Sequence, residues 1–296
     1  MLGKTVLVTG ANSGIGFVTA RELARAGARV LMVCRDPLRG LKAQAEIAGM
    51  ATGRAPELLL ADMGSQSAIR TLADDVVQRT DRLDVLVNNA AAIFDRRELT
   101  ADGIERTFAI NHLGPFLLTN LLLDLIVATE GSRIVNVAAE SFLSRLDFDN
   151  LQGEKRYGFL SAYFRSKLEN IIFTFDLARR LQGTGATANC MSPGPTRTRF
   201  GHNIRGPARL IPLLVKPLFP GPDVGARTVI HLAASPAVTG VSGHFFLRER
   251  IRSTKPVTGN AKVAAELWRV SADLVGLPPV EVPAWRPVAN VDRRSA

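Results

Sequence analysis

Only two cysteines, Cys34 and Cys190, occur in 296 residues, far apart and outside any CxxC. That excludes a disulfide framework and a zinc knuckle and favours a reducing compartment, the cytoplasm by default. No apolar run approaches the roughly 18–20 residues of a membrane span. The opening MLGKTVLVTG carries no signal-peptide pattern and enters a strand almost at once, so neither a span nor an N-terminal anchor is expected. Aromatics are sparse at 6%, and the basic residues, in excess enough for a net charge of +10, are scattered singly and mostly as arginine. Without a basic block, basic–aromatic alternation or zinc-finger spacing, nucleic acid is not an expected partner. The four histidines, His112, His202, His231 and His244, form no ligand spacing, so no metal is expected.

What remains is ordinary globular composition, 46% hydrophobic and 22% charged, in a length that suits one large domain. Short β-branched runs at Thr5–Val8, Val30–Val33, Leu58–Ala61, Val85–Val87, Ile134–Val137, Ala186–Cys190 and Gly243–Leu247 suit strands covered on both faces. Between them, helical patterns cover Ile15–Ala26, Pro37–Met50, Ser65–Arg79, Gly103–Ala128 and Tyr163–Leu181. The alternation predicts an α/β fold, a single-domain Rossmann-type doubly wound parallel sheet flanked by helices. The domain is expected over residues 1–276, with a Pro-rich tail over 277–296 lying extended on the surface. The apolar, Pro-rich stretch Phe200–Pro222 is long for a loop in a compact domain and reads as a lid over a hydrophobic ligand, with a helical excursion that completes the core as the alternative.

Directly after the first strand, Thr9–Gly16 reads TGANSGIG and opens a helical run. Gly10, Gly14 and Gly16 allow a tight turn and close approach of a pyrophosphate, and the helix start offers free N–H groups to it. Its position in a βαβ unit makes this a dinucleotide site, with Ser13 and Ile15 in the same turn as further binding residues. The second strand ends Cys34-Arg35-Asp36-Pro37. Arg35 is placed to pair with a 2′-phosphate, whereas Asp36 before a proline reads as a helix N-cap. NADP(H) is therefore the expected cofactor, with Asp62 and Met63 flanking the adenine. Tyr163 and Lys167, four apart in a helical pattern, project from one face. A nearby ammonium favours the phenolate, and such a tyrosine moves a proton to or from a carbonyl oxygen.

These residues together resemble the short-chain dehydrogenases/reductases. The likeness is carried by TGANSGIG, Asp62, NNAA (Asn88–Ala91), Asn111, Tyr163-x-x-x-Lys167 and SPGPTRT (Ser192–Thr198), in the family's order over roughly residues 4–250. CRD (Cys34–Asp36), NLQGEKRY (Asn150–Tyr157) and ELWRVSADLVGL (Glu266–Leu277) resemble its retinol-dehydrogenase-like branch. The resemblance implies a nicotinamide-dependent oxidoreductase with Tyr163 as acid–base residue. Lys167 would hold the nicotinamide ribose and lower the tyrosine pKa, and Asn111 would organise a water for proton relay. Asn89 and Ala90 would join the cofactor site, and Pro193, Thr196 and Thr198 would line its nicotinamide side. Two helices, around Phe116–Ala128 and Tyr163–Leu181, have apolar faces that relatives use for pairing, which allows a homo-oligomer.

One position departs from the family. The serine expected after the fifth strand is replaced by Ala139, in Val137-Ala138-Ala139-Glu140-Ser141. Removing one such donor typically costs about 10²–10³ in rate. Ser141 is the candidate to swing in, the substrate's own hydroxyl a second source, and a change of reaction a third reading. The expectation is an NADP(H)-dependent ketoreductase or alcohol dehydrogenase acting on a bulky hydrophobic substrate, polyketide-, steroid- or retinoid-like. The alternative is a non-redox cyclisation, dehydration or isomerisation on the same Tyr163–Lys167 pair.

Overall fold

The computed structural model describes residues 1–140, 146–196 and 219–278. Its sheet has strands β1 (Thr5–Thr9), β2 (Arg29–Cys34), β3 (Glu57–Leu60), β4 (Val85–Asn88), β5 (Arg133–Val137), β6 (Thr187–Ser192), β7 (Phe245–Leu247) and β8 (Arg250–Arg252). They lie in the order β3-β2-β1-β4-β5-β6-β7-β8. Every pairing is parallel except β7 with β8. All residues of β1 and β6 are buried, as strands must be when helices cover both faces. From β1 the chain winds outward to β3, then returns to β4 on the other side of β1. The reversal opens a crevice at the C-terminal ends of β1 and β4, where such sheets bind ligands.

Among the described residues the helices are α1 (Gly14–Arg25), α2 (Pro37–Ala48), α3 (Gln66–Arg79), α4 (Arg106–Phe108), α5 (Gly114–Leu121), α6 (Leu123–Ala128), α7 (Phe159–Arg180), α8 (Pro222–Ala234) and α9 (Ala261–Val275). On one face of the sheet Val18, Leu23, Ile47, Val229 and Leu232 bring α1, α2 and α8 onto the strands. On the other, Leu72, Phe116, Phe173 and Trp268 do the same for α3, α5, α7 and α9. Apolar stripes at helical spacing thus build a three-layer sandwich. No described helix is long and apolar enough to cross a membrane.

Two local expectations are corrected. The single helix over Gly103–Ala128 is in fact four segments, α4, a π turn, α5 and α6. It starts at Arg106, because the Glu105 carboxylate accepts from the N–H groups of Thr107 and Phe108, both at 2.8 Å. It then widens into a π turn over Ala109–Leu113 and breaks again at Leu122. Pro115 contributes to the irregularity, since it has no N–H for the ladder. The last strand is shorter than Gly243–Leu247 and turns back into β8. That turn holds Arg248 and Glu249 at φ 50° and 63°, a left-handed geometry that Asn-Gly would advertise and Arg-Glu conceals. The helical patterns of α8 and α9 add to those expected. The lid stretch lies largely outside the described residues, which resume at Phe219 with α8 beginning at Pro222. The Pro-rich tail lies outside them from residue 279.

The α7 helix also carries a buried carboxyl, Glu169. Glu169 is fully buried, its nearest cation is Arg165 Nε at 3.8 Å, and among the described residues neither of its oxygens accepts a hydrogen bond. Burial pushes its carboxyl up to about 8 from an ordinary 4.5; the Arg165 guanidinium pulls down less, and Glu105 pushes the same way as burial. A carboxyl whose folded pKa is raised contributes stability that is full below its ordinary value and is lost as pH climbs through the folded one. Thermal melts should therefore show a declining midpoint between pH 4.5 and about 8. Glu169→Gln should flatten that decline and leave the variant the more stable protein at the alkaline end. A Tm–pH slope unchanged by the substitution would rule the carboxyl out as its source.

Candidate active site

The glycine turn caps the crevice. Gly10 and Gly14 adopt φ 68° and 58°, which side chains disfavour. A Cβ on Gly10 would stand 3.1 Å from the Ala90 Cα, and one on Gly16 would run into the Gly10 carbonyl and the Asn89 amide. Bare backbone is thus required here, and Ser13, at the N-cap of α1, spends no side-chain hydrogen bond on the helix. The first-turn N–H groups of Gly14, Ile15 and Gly16 have no intrahelical acceptor, which suits a phosphate group. Thr9 bolts the loop after β4 to this turn. Its Oγ1 accepts from the N–H groups of Asn89 and Ala90 at 2.9 and 3.0 Å, and Asn89 Nδ2 donates to the Thr9 carbonyl at 2.7 Å. Across the crevice, Thr196 Oγ1 donates to the carbonyls of Pro193 and Gly194, both at 3.2 Å. A Cβ on Gly225 would lie 2.9 Å from Thr196 Oγ1 and 3.1 Å from Ile15 Cδ1. The turn after β6, the start of α1 and α8 therefore converge. This donor set and glycine cradle fit a dinucleotide.

At the end of β2, Asp36 Oδ1 accepts from the Arg39 N–H at 3.0 Å with Pro37 at the first helical position. Asp36 is thereby engaged as the N-cap of α2. Arg35 is left more than half exposed, with Asp62 its loose ionic neighbour at 3.9 Å. Asp62 Oδ1 accepts from the Gly64 N–H at 2.9 Å. Met63 is 6% exposed and packs into the core beside Gly114, so of the expected adenine-flanking pair Asp62 is the accessible member.

On α7, Tyr163 is half-buried at the crevice and Lys167 is 2% exposed. Lys167 Nζ donates to the Val137 carbonyl at 2.9 Å and lies 5.7 Å from the centre of the Tyr163 ring. Burial pushes the Lys167 ammonium down to about 8. It pushes the Tyr163 phenol above its ordinary 10. The expected lowering of the phenol by its lysine is thus reversed here: desolvation, which disfavours the charged form of each group, outweighs their attraction across that distance.

Asn111 is fully buried within the π turn. Its Oδ1 accepts from the Ala92 N–H at 2.7 Å, and its Nδ2 donates to the Ala92 carbonyl at 2.9 Å and to Ser166 Oγ at 3.0 Å. Ser166 in turn donates to the Tyr163 carbonyl at 2.7 Å. Sequence reasoning missed this second layer. Ser166 and Asn170 join Tyr163 and Lys167 on one face of α7, and a polar residue recurring at three- and four-residue spacing inside an otherwise buried helix was the available signal. His112, uninformative by spacing, lies in the same layer: it is fully buried between Phe108 and Phe116, and burial holds its imidazole down at about 4.

Ala139 follows the end of β5, two residues beyond Val137. Ser141 and Thr198, the remaining expected site residues, lie outside the described residues.

A family model described as short chain dehydrogenase matches residues 4–208. The chain is 44% identical to human "Retinol dehydrogenase 14", over 94% of its own length and 88% of that protein's. It is 38% identical to human "Retinol dehydrogenase 13", over 93% and 85%. Among solved structures, an uncharacterised protein of Mycobacterium paratuberculosis superposes with TM-score 0.74 at 32% identity, covering 94% of this chain and 96% of that one. A short chain dehydrogenase of Burkholderia cenocepacia, solved in complex with NADP, gives TM-score 0.67 at 27% identity over 83% and 96%.

Proposed function

The chain belongs to the short-chain dehydrogenase/reductase family, in its retinol-dehydrogenase-like branch, and we propose that it moves a hydride between NADP(H) and the carbonyl or alcohol of a bulky apolar substrate. The observation that carries the proposal is the Tyr163–Lys167 pair, one helical turn apart at the crevice mouth, with Lys167 buried and tied to the end of β5. When bound, the nicotinamide supplies the hydride that adds to the carbonyl carbon. Tyr163 delivers the proton to the carbonyl oxygen, and Lys167 holds positive charge beside the phenol as that proton leaves. Gly10, Ser13, Gly14, Ile15 and Gly16 hold the pyrophosphate, while Asn89 and Ala90 wall the crevice. Pro193 and Thr196 line the nicotinamide side. Names of relatives point to retinoids as the first substrates to try, with steroid and aromatic polyketide ketones beside them. Reduction is the proposed direction, and the cytoplasm the proposed location, which suits two free, buried cysteines.

The test follows NADPH absorbance and product together over that panel. Alcohol formed in step with NADPH consumed supports the proposal. Product with no change in nicotinamide absorbance supports the non-redox alternative, and no turnover of any kind removes both.

The preference for the 2′-phosphate rests on Arg35, exposed at the end of β2 while Asp36 is occupied as a cap. A charge-assisted hydrogen bond contributes about 1.5–3 kcal/mol, so Arg35→Ser should weaken NADPH about 10–100-fold. NADH affinity should barely change. Titrations at equal salt decide it, and parallel losses for the two nucleotides would show that Arg35 does not read the phosphate.

A further inference from the structure

In a regular α-helix the Asn111 carbonyl would accept from the N–H four residues on, and that residue is Pro115, which has none. The carbonyl turns instead toward α7, where Asn170 Nδ2 donates to it at 2.8 Å. The amide orientation follows from this bond, because a carbonyl only accepts. Asn170 Oδ1 then faces His112 Nδ1 at 3.3 Å, so the ring carries its proton on Nδ1. His112 Nε2 is left to accept from Ser271 Oγ of α9 at 2.9 Å. The donors therefore run one way, from Ser271 to His112 to Asn170 to the Asn111 carbonyl. Thr174 Oγ1 donates to the Asn170 carbonyl at 2.6 Å and accepts from Asn136 Nδ2 of β5 at 2.9 Å. Asn170 is thus held from both sides, 3% exposed, one turn beyond Ser166 and Lys167.

We propose that Asn170 is a positioning residue of the acid–base site: together with Pro115 it takes the Asn111 carbonyl out of the helical ladder and holds it against α7, fixing the π turn to the Tyr163–Lys167 face. The Asn111 side chain carries the same constraint onward through Ser166 to the Tyr163 carbonyl. Asn170 touches none of the groups proposed to meet the cofactor, so its loss should fall on kcat and leave nucleotide affinity alone. The inference rests on the acid–base role proposed for Tyr163.

The experiment compares wild type, Asn170→Leu, Pro115→Ala and the double variant. Asn170→Leu strips the amide at similar volume and should lower kcat about 10–100-fold, the effect of a small misplacement of reacting groups, with NADPH Kd within about twofold. Pro115→Ala gives the Asn111 carbonyl a helical N–H to accept from. In the double variant Tm should recover while kcat stays low, because the carbonyl has returned to its own helix. Recovery of kcat together with Tm, or a folded Asn170→Leu with wild-type kcat, would overturn the proposal. If Asn170→Leu alone fails to fold, the double variant carries the same comparison against Pro115→Ala. A readout independent of turnover separates failure of this inference from failure of the oxidoreductase reading. The protein has two tyrosines, so in a Tyr157→Phe background ultraviolet titration reports Tyr163 alone. Asn170→Leu should move that titration down toward the ordinary value as water reaches the phenol, in both the single and the double variant. An unmoved titration counts against the proposal even in a protein that turns nothing over.

Discussion

Tyr163→Phe is expected to lower kcat for NADPH-dependent carbonyl reduction by about 10²–10⁴-fold, the range for removing a positioned proton donor. The substitution deletes a single oxygen. The ring keeps its edge contact with Phe164, at 5.3 Å between centroids, so packing of α7 is preserved and Tm should move little. NADPH affinity should likewise hold, because the glycine cradle and Arg35 lie on other elements. Steady-state kinetics with a separate fluorescence titration of NADPH distinguish the two effects. A kcat within threefold of wild type would remove Tyr163 from the chemistry. The pocket sharpens the expectation. Burial raises the phenol above its ordinary value and brings Lys167 down to about 8, so the free site is built around a protonated tyrosine. That state suits proton delivery to a carbonyl, and because reduction and oxidation cross the same transition state, kcat/KM should fall by the same factor in both directions at one pH.

Much of this arrangement could be read in advance, for a physical reason. Buried parallel strands are short uninterrupted apolar runs, so β1, β2, β4 and β5 were legible within a residue or two. A glycine turn between strand and helix announces its own geometry, and Asp36 before Pro37 announced a cap that the structure contains. Misses cluster where information is not local. Nothing in Arg248-Glu249 signals a two-residue turn, because neither residue favours the left-handed conformation that both adopt. The π turn around Asn111 hid behind an unbroken apolar periodicity, although Pro115 in that run was a warning. Asn170 and Ser166 interrupt the apolar pattern of α7, and their partners outside that helix, Asn111 and His112, both lie in the π turn. Tyr163 shows the limit for electrostatics: the four-residue spacing to Lys167 was visible, but the desolvation that reverses the expected shift is a property of the packed interior.

The position after β5 gives the second large expectation, a gain. The Val137 carbonyl accepts from Lys167 Nζ at 2.9 Å, and the Ala138 N–H donates to the Met191 carbonyl at 2.8 Å. Backbone leading into Ala139 is therefore already fixed between α7 and β6, and a hydroxyl added at Ala139 arrives on a held frame with no rearrangement to drive. One preorganised donor at a developing oxyanion contributes about 10²–10³ in rate, so Ala139→Ser should raise kcat by about that factor with little change in KM. The pattern follows because the hydroxyl acts when charge builds on the reacting oxygen, not when the neutral carbonyl binds. Ser141→Ala supplies the control. If Ala139→Ser leaves kcat unchanged while Ser141→Ala abolishes turnover, the oxygen already has its donor from Ser141. If both leave kcat unchanged, the reacting oxygen is served by the substrate's own hydroxyl, and substrates lacking one near the carbonyl should then be the ones that Ala139→Ser accelerates.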